Sequence, residues 1–466
     1  MATEHPRRPD RRRTDGPEDR RTDRQAGPRR QARPPRTARP ARATGEADGR
    51  VVELEVGPVA HGGHCVARLE DGASPGGRGR VVFVRHALPG ERVRARLSET
   101  GPAASFWRAD AVEVLQASPD RVPSAWPEAG PGGVGGGELA HVALPAQRAW
   151  KAAVVAEQLR RLAKDERDVV VEAAPGDDER GGLGWRSRID LVADASGRAG
   201  MLGHRSHEVH ALTAMPLAAE AIADLGLFDR RWQPGARIEA VAPAGDAPLV
   251  LVDGVPNVGG RADTRPNART VVREHLRLGD REYTYRVAAD GFWQVHREAP
   301  AVLAGAVLEA LGDVDGATVL DLYAGAGLFT LPLADAVGPT GEVVSVEGDE
   351  RAVRDARRNV HDRRNVELHA GEVARVLSGA VDADSDVVHA DAVVLDPPRV
   401  GAGRKVVAAI AELRPERVVY VACDPAALAR DVSYLAEAGY GLTGLRAFDL
   451  FPMTHHVECV AVLQRG

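Results

Sequence analysis

The chain holds three cysteines in 466 residues, and one of them sits where an apolar run meets a proline: RVVYVACDPAALARD, residues 417–431. Pro425 has a fixed φ and no N–H to lose, so it suits the first turn of the helix predicted over AALARDVSYLAEAG. Cys423 then stands at a strand end and a helix N-terminus, where the helix dipole favours a thiolate able to attack an electron-poor carbon. An inert buried thiol fits the same residues, and the local pattern leaves both readings open. Three other apolar runs end on polar groups in the same way: DLYAGAG (321–327), SVEGD (345–349) and VLDPPR (394–399). Gly325 and Gly327 predict a tight turn that a ligand can approach closely. The turn lacks the third glycine of a dinucleotide fingerprint and the Gly-Lys-Ser/Thr of a phosphate-cradling loop. Glu347 closes the next strand 26 residues after Asp321, a spacing that suits an acid holding ribose hydroxyls. Asp321, Gly325, Gly327, Glu347 and Asp396, in this order, read as a pocket for S-adenosylmethionine.

These residues need a scaffold that brings strand ends to one edge. From Arg281 onward strands and helices alternate: APAVLAGAVLEAL, TVLDLYA, LFTLPLADAV, EVVSVEGD, ERAVRDARRNV, NVELHAG, AVVLDPPR and RVVYVACD. That alternation predicts a parallel, doubly wound α/β sheet, with ligands at the carboxyl ends of its strands. Residues 51–116 differ. They alternate apolar and polar side chains with glycine at the turns, as in a small β-barrel. A Pro/Gly-rich linker and a helix over HVALPAQRAWKAAVVAEQLRRLAKD follow, with Trp150, Val154, Val155, Leu159 and Leu162 on one face. The rest of 117–280 reads as an α+β middle section, with strands at WRSRIDLVAD, AGMLGHRS and RIEAVAP and a helix at MPLAAEAIADLGLF.

Composition sets outer bounds. Residues 1–50 carry 15 Arg, no Lys and 8 acidic residues, for +7, while the whole chain is −6. They lack Ile, Leu, Phe, Trp and Tyr, so they cannot build a core and are expected to be a disordered arm. Such an arm suits either RNA phosphates or plain solvation. No apolar run reaches the about 18 residues of a membrane span, and no apolar signal core opens the chain. Three scattered cysteines suit a reducing interior, so the expected location is cytoplasmic. The histidines have no metal-ligand spacing.

The C-terminal half resembles the RNA 5-methyluridine methyltransferases, the TrmA/RumA-like uracil-C5 family. The segments that carry the resemblance are GFWQVHREA (291–299), DLYAGAGLFTLPLA (321–334), LDPPRVG (395–401), VACDPAALARD (421–431) and DLFPMTHHVECV (449–460). The barrel at 51–116 resembles the TRAM domain that precedes the catalytic part in many members, and SPDRV after it also matches. The resemblance implies a class I Rossmann-like methyltransferase domain over 281–466 that uses S-adenosylmethionine on structured RNA, tRNA or rRNA, with no obligate protein partner. It implies Cys423 as the nucleophile and Glu458 as the base that removes the C5 proton. It also implies Gln294, Tyr323, Glu347 and Glu372 as cofactor contacts, and Asp396 as the acid that positions base and methyl donor. Several positions depart from the family pattern. Asp424 follows the nucleophile where Asn is usual, and here it is expected to cap the helix. His296 replaces an Asn, and Leu328 stands where some members have Asn. Many relatives hold an iron–sulfur cluster through a Cys-Gly-Gly-Cys motif. The matching segment here, Val134 to His141, has neither thiol, and no such cluster is expected. Two other readings stay open: methylation of a different RNA atom, and an RNA-binding or folding factor of this fold without catalysis.

Overall fold

In VVELEVGPVA the side chains of Val52, Leu54 and Val56 are buried while Val51, Glu53 and Glu55 face out. This two-residue period obliges the segment to form a strand with one wet face. In the computed structural model, which describes residues 47–70, 79–101, 104–204, 206–379 and 389–466, five such strands close a barrel. They are β1 (Val51–Ala60), β2 (His64–Leu69), β3 (Arg80–Arg85), β4 (Arg92–Glu99) and β5 (Trp107–Gln116), in the order β1-β2-β3-β5-β4. Closure removes the open edges that an isolated sheet would leave. The arm expected at 1–50 lies, up to residue 46, outside the described residues. Arg121 of SPDRV fastens the linker to the barrel. It donates to both oxygens of Glu91, at 2.5 and 2.7 Å, and to the His86 carbonyl at 2.8 Å.

The helix α1 (Leu144–Gln158) joins barrel to sheet. Trp150 and Val154 complete the barrel core, whereas Val155 packs in the core of the large sheet, with Leu159 just beyond the helix. Lys151 is fully buried and donates to Asp449 and, at 3.0 Å, to the Phe451 carbonyl. Burial lowers the Lys151 pKa against the pull of Asp449. Gln147 donates to the Val142 carbonyl at 2.8 Å, and its Oε1 accepts from Met453 N–H at 2.8 Å. One helix thus holds the loop that leads into Glu458. Lys151→Ala leaves the Asp449 carboxylate buried without its cation and is expected to cost about 3–5 kcal/mol. Denaturant unfolding measures this, and a loss under about 1 kcal/mol, the size typical of an exposed pair, would contradict it.

The middle section is a seven-stranded antiparallel sheet over residues 188–262. Of the helix predicted over MPLAAEAIADLGLF, only Glu220–Ala223 is helical. Arg186 N–H donates to the Leu217 carbonyl and Ala219 N–H to the Arg186 carbonyl, both at 2.8 Å. These bonds bridge Ala218 to Arg186, and Ala218 N–H closes a turn on the Met215 carbonyl at 2.9 Å, so the first half of the segment is a turn and a bridge in place of a helix. The 280/281 boundary expected from the sequence falls in the turn of a hairpin, Val271–Leu278 with Arg281–Ala288. Buried residues from both its strands, Leu276 and Tyr285 among them, lie in the core of the C-terminal sheet.

That core is built on an eight-stranded sheet. Its order is Val366–Ala370, Glu342–Glu347, Thr318–Leu322, Ala392–Leu395, Arg417–Ala422, Glu458–Arg465, Tyr440–Asp449 and Val171–Ala173. The first five strands are parallel. The inner four are buried along most of their length, and runs such as AVVL and RVVYVA are what burial on both faces requires, while the edge strand VELHA has no buried residue. Glu458–Arg465 runs antiparallel to both of its neighbours. No helix of the described residues is long and apolar enough to cross a membrane.

Candidate active site

Register brings the chemistry together. Ala422 lies opposite Cys459 in the antiparallel ladder, so Cys423 and Glu458, one residue further on each strand, meet at the sheet edge. Leu395 pairs with Tyr420 and Leu322 with Leu395, which sets Asp396 and Tyr323 at the same edge on the next two strands. Cys423 is half-buried, and Glu458 is 5% exposed.

The electrostatics are one-sided. Burial first, then the charges of Glu458 and Asp396, push the Cys423 thiol up to about 12, and Arg399 opposes them. The dipole effect anticipated for a thiol at this helix is therefore outweighed. Burial and then Asp396 raise Glu458 well above the usual carboxylate range, again against Arg399. Asp396 itself is raised to about 7 by burial and by Asp321. Asp321 reaches about 7 through burial and Glu347, despite accepting from the Thr330 hydroxyl at 2.5 Å. Its other oxygen is buried with no hydrogen-bond partner among the described residues. Such a row of acids suits a ligand that carries positive charge.

Tyr323 has φ 63°, and Gly325 and Gly327 follow at 59° and 93°. This left-handed path turns the chain away from the strand. The turn is pinned by Glu347, whose carboxylate accepts from Gly325 N–H at 2.8 Å and Asp349 N–H at 2.6 Å. Each oxygen keeps a lone pair for a hydroxyl. Glu372 is exposed at the start of the helix Val373–Leu377. After burial, the charges of Asp431, Glu372 and Glu347 contribute to raising the Tyr323 phenol to about 12, and register sets Tyr323, Glu347 and Glu372 at the same sheet edge, since Leu322 pairs with Val346 and Glu347 with Ala370. Gln294 is half-buried on a segment tied to this turn: Trp293 packs on Tyr285 at 5.0 Å, and Tyr285 Oη donates to the Leu328 carbonyl at 3.0 Å. The neighbouring aromatics part ways, since Trp293 is core and Phe292 is 74% exposed.

The departures have structural reasons. Asp424 caps the helix Pro425–Glu437, accepting from Ala427 N–H at 2.8 Å. His296 is buried and stacked on Trp185. Its Nδ1 accepts from Glu298 N–H, so Nε2 donates to Asp177, at 2.9 Å. In the segment from Val134 to His141, Glu138 accepts from Gly136 N–H at 3.0 Å and faces His455 at 3.5 Å. Among the described residues no group of three or more His, Cys, Asp or Glu side chains is arranged to hold a metal ion.

Comparison with known proteins bears on the family and the fold. Residues 259–466 match the tRNA (uracil-5-)-methyltransferase family model and residues 46–106 the TRAM domain. An RNA methyltransferase of Streptomyces coelicolor, described as uncharacterized, is 45% identical over 442 residues, 89% of this chain and 93% of that protein. The chain belongs to this family of RNA methyltransferases. A similarly described family member from Bifidobacterium longum is 41% identical over 439 residues, 89% of this chain and 96% of its own. The crystal structure of Pyrococcus abyssi tRNA (uracil-54, C5)-methyltransferase with S-adenosyl-L-homocysteine has a TM-score of 0.62 at 22% identity, over 88% of this chain and 100% of that one. That likeness establishes the methyltransferase fold.

Sequence reasoning passed over two groups at the family site. Arg399 is the cation acting on both Cys423 and Glu458. His456 approaches it, Nε2 to Nη2, at 3.5 Å. Burial lowers His456 to about 3, so it stays neutral and can accept from the guanidinium. The Asp-Pro-Pro-Arg run was the available signal for Arg399.

Proposed function

We propose that the protein methylates uracil C5 in structured RNA, tRNA or rRNA, with S-adenosylmethionine, through a covalent adduct between Cys423 and C6. The observation that carries this reading is the register that puts Cys423, Glu458 and Asp396 at one sheet edge beside the glycine turn. Uracil C5 is a weak carbon nucleophile and needs covalent help. Cys423 gives its proton to solvent, its thiolate bonds to C6, and the electron pair of the C5–C6 double bond moves out to make C5 enolate-like. C5 then takes the methyl group as the methyl–sulfur bond of the donor breaks, and the sulfur leaves as a neutral thioether. The Glu458 carboxylate removes the C5 proton, the C5–C6 double bond re-forms, and the thiolate leaves.

The donor set fits the cofactor. Glu347 and Glu372 offer acceptors for ribose and adenine, and Tyr323 and Gln294 would be the further contacts. The acids Asp321 and Asp396 suit a ligand with ammonium and sulfonium charges. S-adenosylmethionine supplies the electrophilic methyl group. Arg399 holds part of the acidic charge in check, so that addition of a cation would favour the thiolate. The target base must leave its stack to reach Cys423, and the barrel and middle sheet are the surfaces for the rest of the RNA.

RNA containing 5-fluorouridine tests this. Fluorine at C5 cannot leave as a proton, so the adduct is expected to persist as a protein–RNA band on a denaturing gel that depends on S-adenosylmethionine. Methyl transfer to ordinary RNA with no such band would point to a different acceptor atom. Binding of S-adenosylmethionine with no transfer to total tRNA and rRNA lacking the modification would favour a non-catalytic binding factor.

A further inference from the structure

Asp424 puts a carboxylate in the residue next to the thiol, and a bare charge there opposes the thiolate. Its two oxygens are both engaged elsewhere. Oδ1 accepts from Ala427 N–H, and Oδ2 faces His61 Nε2 at 3.2 Å. His61 lies in the turn between β1 and β2, in the barrel, 363 residues away along the chain. The turn is seated for this contact. β1 carries a register shift between Val56 and Val59 that bends the hairpin. Gly63, at φ 76°, lies so close to the catalytic segment that a Cβ there would meet the His455 ring at 3.2 Å. α1 fixes barrel and sheet together beneath it.

We propose that the barrel turn is a working part of the methyltransferase site, with His61 as a positioning residue whose imidazole holds and balances the Asp424 carboxylate beside Cys423. The inference rests on Cys423 being the nucleophile. It accounts for Asp in place of the usual Asn: the cap is kept, and the added charge is answered from the barrel. Among the groups facing the thiol, Glu458, Asp396, Arg399 and Asp424, the adjacent Asp424 has the smallest effect. His61 faces Asp424 and Glu157, and its pKa is raised, through the Asp424 hydrogen bond first, against burial. The pairing is therefore complete below the ordinary histidine value and its charge is lost as pH rises through the raised one.

The test compares the full-length wild type with H61A, D424N and H61A/D424N. The measured quantity is the rate of Cys423 alkylation by iodoacetamide from pH 6 to 10, followed peptide by peptide. Cys65 and Cys459 are buried, so their labelling reports any loss of fold. H61A is expected to slow Cys423 alkylation about three- to ten-fold at the low-pH end, where His61 is charged, and the difference from wild type should fade toward pH 10, where His61 is neutral in both. In the D424N background the same change is expected to have less than about a two-fold effect. If H61A exposes Cys65 or Cys459, the comparison is read in H61Q, which keeps a donor without the charge and should fall between the two. An unchanged profile, or an effect of equal size in the D424N background, would overturn the proposal. Alkylation reads the thiol itself, so this failure is distinct from C423S retaining methyl transfer, which would overturn the nucleophile.

Discussion

Cys423→Ser is expected to abolish methyl transfer, by about 10⁴-fold or more, while binding of S-adenosylmethionine and thermal stability stay near wild type. The reasoning starts from the thiol's surroundings. Even the cysteine is pushed up to about 12 by burial and by Glu458 and Asp396. A serine hydroxyl, intrinsically far less acidic, has no means of reaching its anion in that acidic setting. Sulfur is also the better leaving group when the C5–C6 double bond re-forms. The residue is a half-buried free thiol with no disulfide for the fold to depend on, so the loss should lie in turnover and not in folding. The 5-fluorouridine band should vanish with it. Methyl transfer that survived in C423S would remove the covalent route and leave an acceptor that needs no thiol, such as an exocyclic amine.

How far the sequence discloses this site follows from the range of the forces involved. The four strand ends were legible because burial on both faces writes continuous apolar runs, and a buried run must end where the chain meets solvent or ligand. The helix at Pro425 was legible from local rules, and Asp424 caps it as anticipated. The barrel showed through its period of two. What local pattern could not carry was the balance of charges among separate strands. The dipole at Pro425 is a property of one helix, whereas the burial, Glu458, Asp396 and Arg399 effects on Cys423 come from other segments. His61 on Asp424 and His296 on Asp177 are likewise pairs remote in sequence. A departure from the family pattern marked the position in each case, but its reason lay in the partner. The helix predicted over MPLAAEAIADLGLF gave way to tertiary pairing with Arg186, because propensity is a weak influence beside backbone bonds of that kind.

Glu458→Gln separates the two halves of the proposed chemistry. The amide cannot take the C5 proton, yet Cys423 can still add to C6 and C5 can still be methylated. Turnover should fall about 10²–10⁴-fold, and the protein should accumulate on ordinary RNA as a denaturation-resistant adduct in the presence of S-adenosylmethionine. The raised pKa of Glu458 gives the prediction two signs. Burial and Asp396 favour the protonated acid, so the base form grows as pH rises, and the wild-type rate should climb with pH along a limb that E458Q flattens. Stability runs the other way. A carboxyl whose folded pKa lies above its unfolded value binds more protons when folded, so stability declines as pH rises from the ordinary carboxylate range through the raised value. E458Q has no such proton to lose. Its denaturation midpoint should exceed that of the wild type at pH 8, and the gain should shrink at pH 4, where both forms of the site are neutral. Loss of turnover without an adduct would mean that Glu458 acts before C6 is attacked. An unchanged midpoint at both pH values would mean that its carboxyl is not held up by burial. A dead but stabilised E458Q that traps ordinary RNA would place the acid's stability cost and its catalytic role on the same buried proton.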